Sequence, residues 1–224
     1  TSNIQVNVTG TDISATIQNL EPLTTYYARV FLSDNSRTFY GSEISFTTKE
    51  LGANAVYLAA NGVTVKASEW ASVGDTGVIN DITYTVVDEP TLRAMIVDNE
   101  VVINIATTKV TDMADLFFED SSFNQALWQW DVSNVTDMSN MFKGAVTYNR
   151  PIDAWDVSNV TNMTNMFDDA RSFNQPIGNW DVSNVNDMRN MFSRATSFNQ
   201  PIGNWDVSNV NDMTNMFQNG ASFS

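Results

Sequence analysis

The chain contains no cysteine and no histidine among its 224 residues. Without cysteine there is neither a disulfide framework nor a thiolate metal site. Without histidine the commonest general base, the commonest transition-metal ligand and the Ser-His-Asp arrangement are all excluded. Positive charge is scarce: 11 Lys and Arg stand against 26 Asp and Glu, for a formal net charge of −15. That balance argues against nucleic acid and against anionic membrane surfaces as partners. No stretch of about 18 consecutive apolar residues occurs, so no membrane insertion is expected. No basic-then-apolar leader opens the chain. The opening reads as the middle of a domain, so the missing leader does not assign the protein to the cytoplasm.

What the sequence has instead is repetition. Asp131, Asp156, Asp181 and Asp206 each open the pentapeptide Asp-Val-Ser-Asn-Val, at steps of 25 residues. A fixed period in this range marks stacked coils, each too small to fold alone. In the coil from Asp131 to Trp155, Met138, Met141, Phe142 and Ala145 fall at i, i+3, i+4 and i+7. That spacing predicts one face of a short helix, capped by Asn134 or Thr136. Pro151-Ile152 then leads into an expected strand over 154–159, with Trp155 and Val157 inward and Asp156 and Ser158 outward. The expected fold class over residues 106–224 is an α/β solenoid, leucine-rich-repeat-like, of parallel strands and short helices. It holds five 25-residue repeats, the first degenerate and the last incomplete. The crossover rule gives such a stack a right hand, with Trp130, Trp155, Trp180 and Trp205 in one buried column.

Ile152-x-x-Trp155-x-Val157 mimics the core of a leucine-rich repeat. With Met-x-x-Met-Phe and Phe-Asn-Gln-Pro-Ile-Gly-Asn-Trp, it resembles the BspA-like leucine-rich repeat family of bacterial surface proteins. The resemblance covers residues 106–224. It implies a secreted or surface-anchored protein of a kind often assigned to adhesion.

Residues 1–49 read as all-β. Ile4, Val6 and Val8 alternate, as do Ile13, Ala15 and Ile17, and Ser42 to Thr48 forms a last strand. Leu20, Pro22, Thr24 and Tyr26 match the L-x-P-x-T-x-Y signature of a fibronectin type III domain, which this stretch resembles in its C-terminal half. The likeness implies a partial all-β sandwich and a corner at Tyr26, whose hydroxyl bonds back to the chain. Lys49 to Gly52 reads as a linker. Residues 50–105 fall outside the 25-residue register and are expected to cap the solenoid. Strands are expected at Val56–Leu58, Val63–Val65, Ile82–Val87 and Val101–Ile105. Turns are expected at Asn61-Gly62 and Asn80-Asp81, and a helix near Pro90 that buries Leu92, Met95 and Ile96. Neighbouring domains are expected on both sides of the chain.

The candidate binding residues are the outward columns Asp131, Asp156, Asp181, Asp206 and Ser133, Ser158, Ser183, Ser208. Two readings of them stay open. The carboxylates accept N–H bonds between coils, or they meet cations, sugar hydroxyls or a basic peptide. The columns Asn140, Asn165, Asn190, Asn215 and Asn124, Asn149, Asn174, Asn199 read as structural ladders. The sequons at Asn7, Asn134 and Asn159 also read as structural. No calcium-loop signature occurs, so no metal and no cofactor is assigned. Carboxylate pairs stand in every coil and none is distinguished, so no enzyme is expected. The expected function is a non-catalytic, adhesin-like module, secreted or at the cell surface, binding extracellular protein or polysaccharide. The competing expectation is a passive spacer within a large surface protein, which the near-identity of the third and fourth coils favours.

Overall fold

The structure, a computed structural model, describes residues 20–21, 24–33, 36–48 and 53–220. The strands expected within 1–19, the Asn7 sequon, Pro22, the linker at 49–52 and Phe223 lie outside the described residues. The chain divides into two compact units, Thr1–Ala53 and Asn54–Ser224.

In the first unit β1 (Thr25–Ser33) pairs antiparallel with β2 (Thr38–Thr47). The Tyr26 hydroxyl accepts a hydrogen bond from the Glu21 N–H at 2.8 Å, as expected of a corner tyrosine. The expected sandwich is not shown. Every residue of β2 is exposed, and among the described residues no second sheet covers this pair.

The second unit begins with β3 (Val56–Leu58) and β4 (Val65–Ala67), an antiparallel pair. In the loop between them Asn61 Oδ1 accepts from the N–H groups of Val63 and Thr64, and Gly62 takes φ +69°. This turn starts β4 two residues later than the alternation suggests. Then β5 (Thr76–Ile79) pairs with β6 (Ile82–Asp88) across Asn80-Asp81, both at positive φ as a two-residue hairpin requires. Asp88 caps α1 (Glu89–Val97) by accepting from the Thr91 N–H, and Pro90 sits in the first turn. Leu92 is buried, with Met95 and Ile96 partly so. The chain returns as β7 (Ile105–Lys109), parallel to β6. Val87, Leu92, Val102 and Ile105 belong to the same core as the coils that follow.

Beyond β7 the expected α/β solenoid of parallel strands and short helices is contradicted. α1 is the only helix among the described residues, and the sheets are small and antiparallel or mixed. No described helix is long and apolar enough to cross a membrane. The coils are built from tight turns. They meet through single-residue parallel bridges, Asp112↔Asp137, Asp137↔Asn162, Asn162↔Asp187 and Asp187↔Asp212. The crossover argument for handedness falls with the strands it needed.

The backbone hydrogen bonds explain the miss. From Met138 to Gly144 every second N–H leaves the coil: Met138, Asn140, Phe142 and Gly144 donate to the carbonyls of Asn162, Thr164, Met166 and Asp168. The alternate donors Met141, Lys143 and Ala145 close turns onto Met138, Asn140 and Phe142. An α-helix would keep all of them on residues four back. The left-handed residues that permit the alternation recur twice per coil, as at Asn140 (φ +56°) and Gly144 (φ +73°), then Asn165 (+55°) and Asp169 (+61°). Asparagine and aspartate tolerate this region better than most side chains. The expected strand over 154–159 is likewise replaced by turns, Trp155 N–H onto Ile152 and Val160 N–H onto Val157.

The apolar spacing nonetheless marks the core correctly. Met138, Met141, Phe142 and Ala145 are all fully buried. Phe142, Phe167, Phe192 and Phe217 stack at 5.5–5.7 Å between centroids. The first three also meet an aromatic of their own coil, as Phe167 meets Phe173 at 4.0 Å. The four tryptophans are buried, and each indole N–H reaches a carbonyl 28 residues back: Trp130 to Val102, Trp155 to Leu127, Trp180 to Ile152 and Trp205 to Ile177.

The left-handed asparagine yields a direct test. Asn165 accepts from the Asn190 amide at 3.0 Å and donates to Asn140 at 2.8 Å. Asn165→Ala loses both bonds, at about 0.5–1.5 kcal/mol each, and strains the backbone by about 1–2 kcal/mol. Asn165→Gly loses the bonds but keeps the φ without strain. Urea melts are expected to rank Ala below Gly below the parent. Equal losses for Ala and Gly would contradict the left-handed account.

Candidate functional site

Each Asp-Val-Ser segment folds into the same local turn. Asp131, Asp156 and Asp181 accept at Oδ1 from both the N–H and the hydroxyl of the serine two residues on, Ser133, Ser158 and Ser183. Asp206 accepts from the Ser208 N–H at 3.0 Å. Aspartate is favoured here because its short side chain reaches its own backbone two residues ahead. These bonds lie within one coil, which corrects the expectation that the carboxylates bridge coils. The bridging falls to the next residues instead: Asn134, Asn159, Asn184 and Asn209 donate to carbonyls of the preceding coil at 2.7–2.8 Å. The amides of Asn134 and Asn159 are thus engaged in the stack, as the structural reading of those sequons requires.

Asp156, Asp181 and Asp206 are exposed. The Ser183 hydroxyl, then its N–H, hold the Asp181 carboxyl below the usual carboxylate range, against slight desolvation and the repulsion of Asp206. The Ser208 N–H and hydroxyl do the same for Asp206, against slight desolvation. The repulsion of Asp206 on Asp181 puts neighbouring turns within electrostatic reach.

Asp131 breaks this symmetry. It is 1% exposed. β4 lies against its coil, with the Val65 N–H donating to the Gln129 carbonyl at 2.8 Å. Lys66 Nζ donates to Ser133 Oγ at 3.0 Å and stands 3.4 Å from Asp131 Oδ1. Asp131 Oδ2 has no hydrogen-bond partner. An orphaned buried acceptor costs about 1–3 kcal/mol, and more when charged. Asp131 lines a cavity of about 370 Å³ together with Asp156, the β3–β4 loop, Tyr57 and Lys66. A larger cavity of about 550 Å³ lies beside α1, lined by Thr85, Thr91, Met95 and Glu100 among others, and holds no orphaned buried group.

A second acidic column was not singled out by sequence reasoning. Asp112, Asp137, Asp187 and Asp212, with Asn162 among them, accept from the N–H two residues on and form the parallel bridges. The Asp-Met-x-Asn-Met-Phe motif carried that signal, hidden by the helical reading of its methionines. Asp168, also missed, is buried and ion-paired with Arg194 at 2.9 Å. Among the described residues no group of three or more Asp and Glu is arranged to hold a metal ion.

The turn carboxylates set an acid limit on stability. The carboxyls of Asp181, Asp206 and Asp212 are held below the unfolded value of about 3.9, so their contribution is complete above that value and is lost as pH falls through the folded one. The melting temperature is expected to stay level from about pH 7 to 5 and fall below about 4. The double variant Asp181→Asn, Asp206→Asn is expected to flatten that fall, because asparagine keeps an acceptor oxygen that does not titrate. A parent and a variant with superimposable acid profiles would contradict it.

No curated protein and no solved structure matches the chain. Two overlapping stretches, 91–181 and 151–224, match the family model described as "Mycoplasma protein of unknown function, DUF285", and together they span more than half of the chain. On that match to its coils, the chain belongs to the DUF285 family.

Proposed function

We propose that the chain is a non-catalytic binding module of a secreted or surface-displayed protein, adhesin-like, that presents its repeat face to extracellular protein or polysaccharide. The observation that carries the reading is the row of exposed carboxylates at Asp156, Asp181 and Asp206, the last two held in their charged form by the serine bonds. The turn itself does not demand a charge. Asparagine would form it equally well and without the repulsion that Asp206 imposes on Asp181. A row that keeps its charge against that cost is what a binding face explains. The resemblances of residues 106–224 to BspA-like surface repeats, and of residues 1–49 to a fibronectin type III half-domain, support extracellular display.

The second reading is a passive spacer. The near-identity of the third and fourth coils, 156–180 and 181–205, favours it, because a specific site breaks repeat symmetry.

The experiment is the double variant Asp181→Asn, Asp206→Asn, compared with the parent on a glycan array and on immobilised extracellular-matrix proteins. Capture by the parent, weakened by about tenfold or more in the variant with the neutral-pH melt nearly unchanged, supports the binding face. No capture by either, or equal capture by both, leaves the spacer.

A further inference from the structure

We propose that the cavity between the β3–β4 pair and the first two Asp-x-Ser turns is a pocket for a neutral sugar ring. The proposal stands apart from the repeat-face reading, since neither Asp181 nor Asp206 lines this cavity. It begins from the one place where the array loses its symmetry. Of the four equivalent aspartates only Asp131 is buried, and its Oδ2 is an acceptor with no donor. The cavity that Asp131 lines has about 370 Å³, within the range of about 300–1,000 Å³ of small-molecule sites.

The lining selects the ligand chemistry. A free carboxylate oxygen asks for an O–H or N–H donor. A cationic donor is disfavoured, because Lys66 Nζ already stands 3.4 Å from the other oxygen of the same carboxylate and would repel a second positive charge. The same lysine disfavours a divalent metal. An anion meets Asp131 and Asp156 together. What remains is a neutral donor, and a hydroxyl group fits it. Tyr57 adds the second element. It is the cross-strand partner of Lys66, so the two share a face of the pair, and its side chain is 48% exposed beside the cavity. An exposed aromatic next to a hydroxyl acceptor suits a sugar, which has an apolar ring face and an equatorial rim of donors. Asp156 Oδ1 is committed to Ser158, and its exposed carboxylate offers a further acceptor at the rim. Asn61 is held in its own turn by Val63 and Thr64, so the loop that walls the cavity is already ordered. Asp131 Oδ2 is buried, so the ligand hydroxyl reaches it by a local shift of the Lys66 stem, flexible and 28% exposed, with the ammonium kept beside the carboxylate.

The test uses the full chain and the methyl glycosides of glucose, galactose, mannose and N-acetylglucosamine. Binding is followed by saturation-transfer NMR and by the shifts of the Tyr57 and Lys66 signals. At least one glycoside is expected to saturate with a dissociation constant on the order of 1 mM or tighter. Tyr57→Ala is expected to weaken it about tenfold or more. So is Asp131→Asn, which keeps the turn acceptor and places a donor where Oδ2 stood. Glu69→Gln, exposed and outside the cavity, is expected to bind like the parent. If Asp131→Asn does not fold, Tyr57→Ala decides alone. The proposal is overturned if no glycoside gives saturable shifts, or if the folded variants bind like the parent. It is equally overturned if tetramethylammonium or calcium moves the Tyr57 and Lys66 signals where the glycosides do not.

Discussion

The division of backbone donors between neighbours is the constraint on which the array rests. Of the seven N–H groups from Met138 to Gly144, four are given to the next coil, two close backbone turns and that of Ser139 goes to the Asp137 carboxylate. Buried amides must be paired, and here no helix or long strand is present to pair them. The alternation in turn demands left-handed residues, which is the physical reason for Asn140, Asn165, Asn190 and Asn215. The side chains of Asn140, Asn165 and Asn190 extend the same logic by bonding from coil to coil. With the backbone committed in this way, Met, Phe and Ala side chains are delivered inward at a fixed pitch, and their rings stack coil on coil.

Repetition and interruption have different meanings in this molecule. The Asp-x-Ser turns recur because each coil needs one, and bonds within the coil satisfy Oδ1 in all four. The β3–β4 pair lies over the first of them only. Covering Asp131 converts a solvated turn into a buried carboxylate beside a cavity. The β3–β4 pair, whose own buried residues Val56, Val65 and Ala67 belong to a separate core, therefore creates the array's most distinctive chemical environment. A solvated row and a covered pocket arise from one motif, and the difference lies in the neighbour that Lys66 brings.

Much of the core was legible in the sequence, and much of the backbone was not. The i, i+3, i+4, i+7 spacing from Met138 to Ala145 named four buried side chains, and the 25-residue step named the tryptophan column. The same spacing misled about conformation, because consecutive turns closed by i to i−3 bonds bury side chains at helical intervals. The asparagine at the third position of Met-x-Asn-Met was the available warning, since Asn in a helix interior is a poor choice and in the left-handed region a good one. The α1 cap was readable because Asp88 and Pro90 act locally. The Asp131 environment was not. Lys66 lies 65 residues away in sequence, and no local pattern announces a contact made by a separate element.

The indole bonds have a further consequence for how such a chain changes over generations. Each reaches back 28 residues and each bridge advances 25, wherever in the array it lies. Insertion or deletion of one whole unit between Trp155 and Trp205 leaves every remaining staple with a partner of the same type. A change of any other length breaks the spacing of the one or two staples that span it, while those beyond keep their partners. The gene can therefore lengthen or shorten by recombination between its own near-identical units, at little cost to the fold. The β3–β4 element and Asp131, present once, stay fixed while the reach of the array varies.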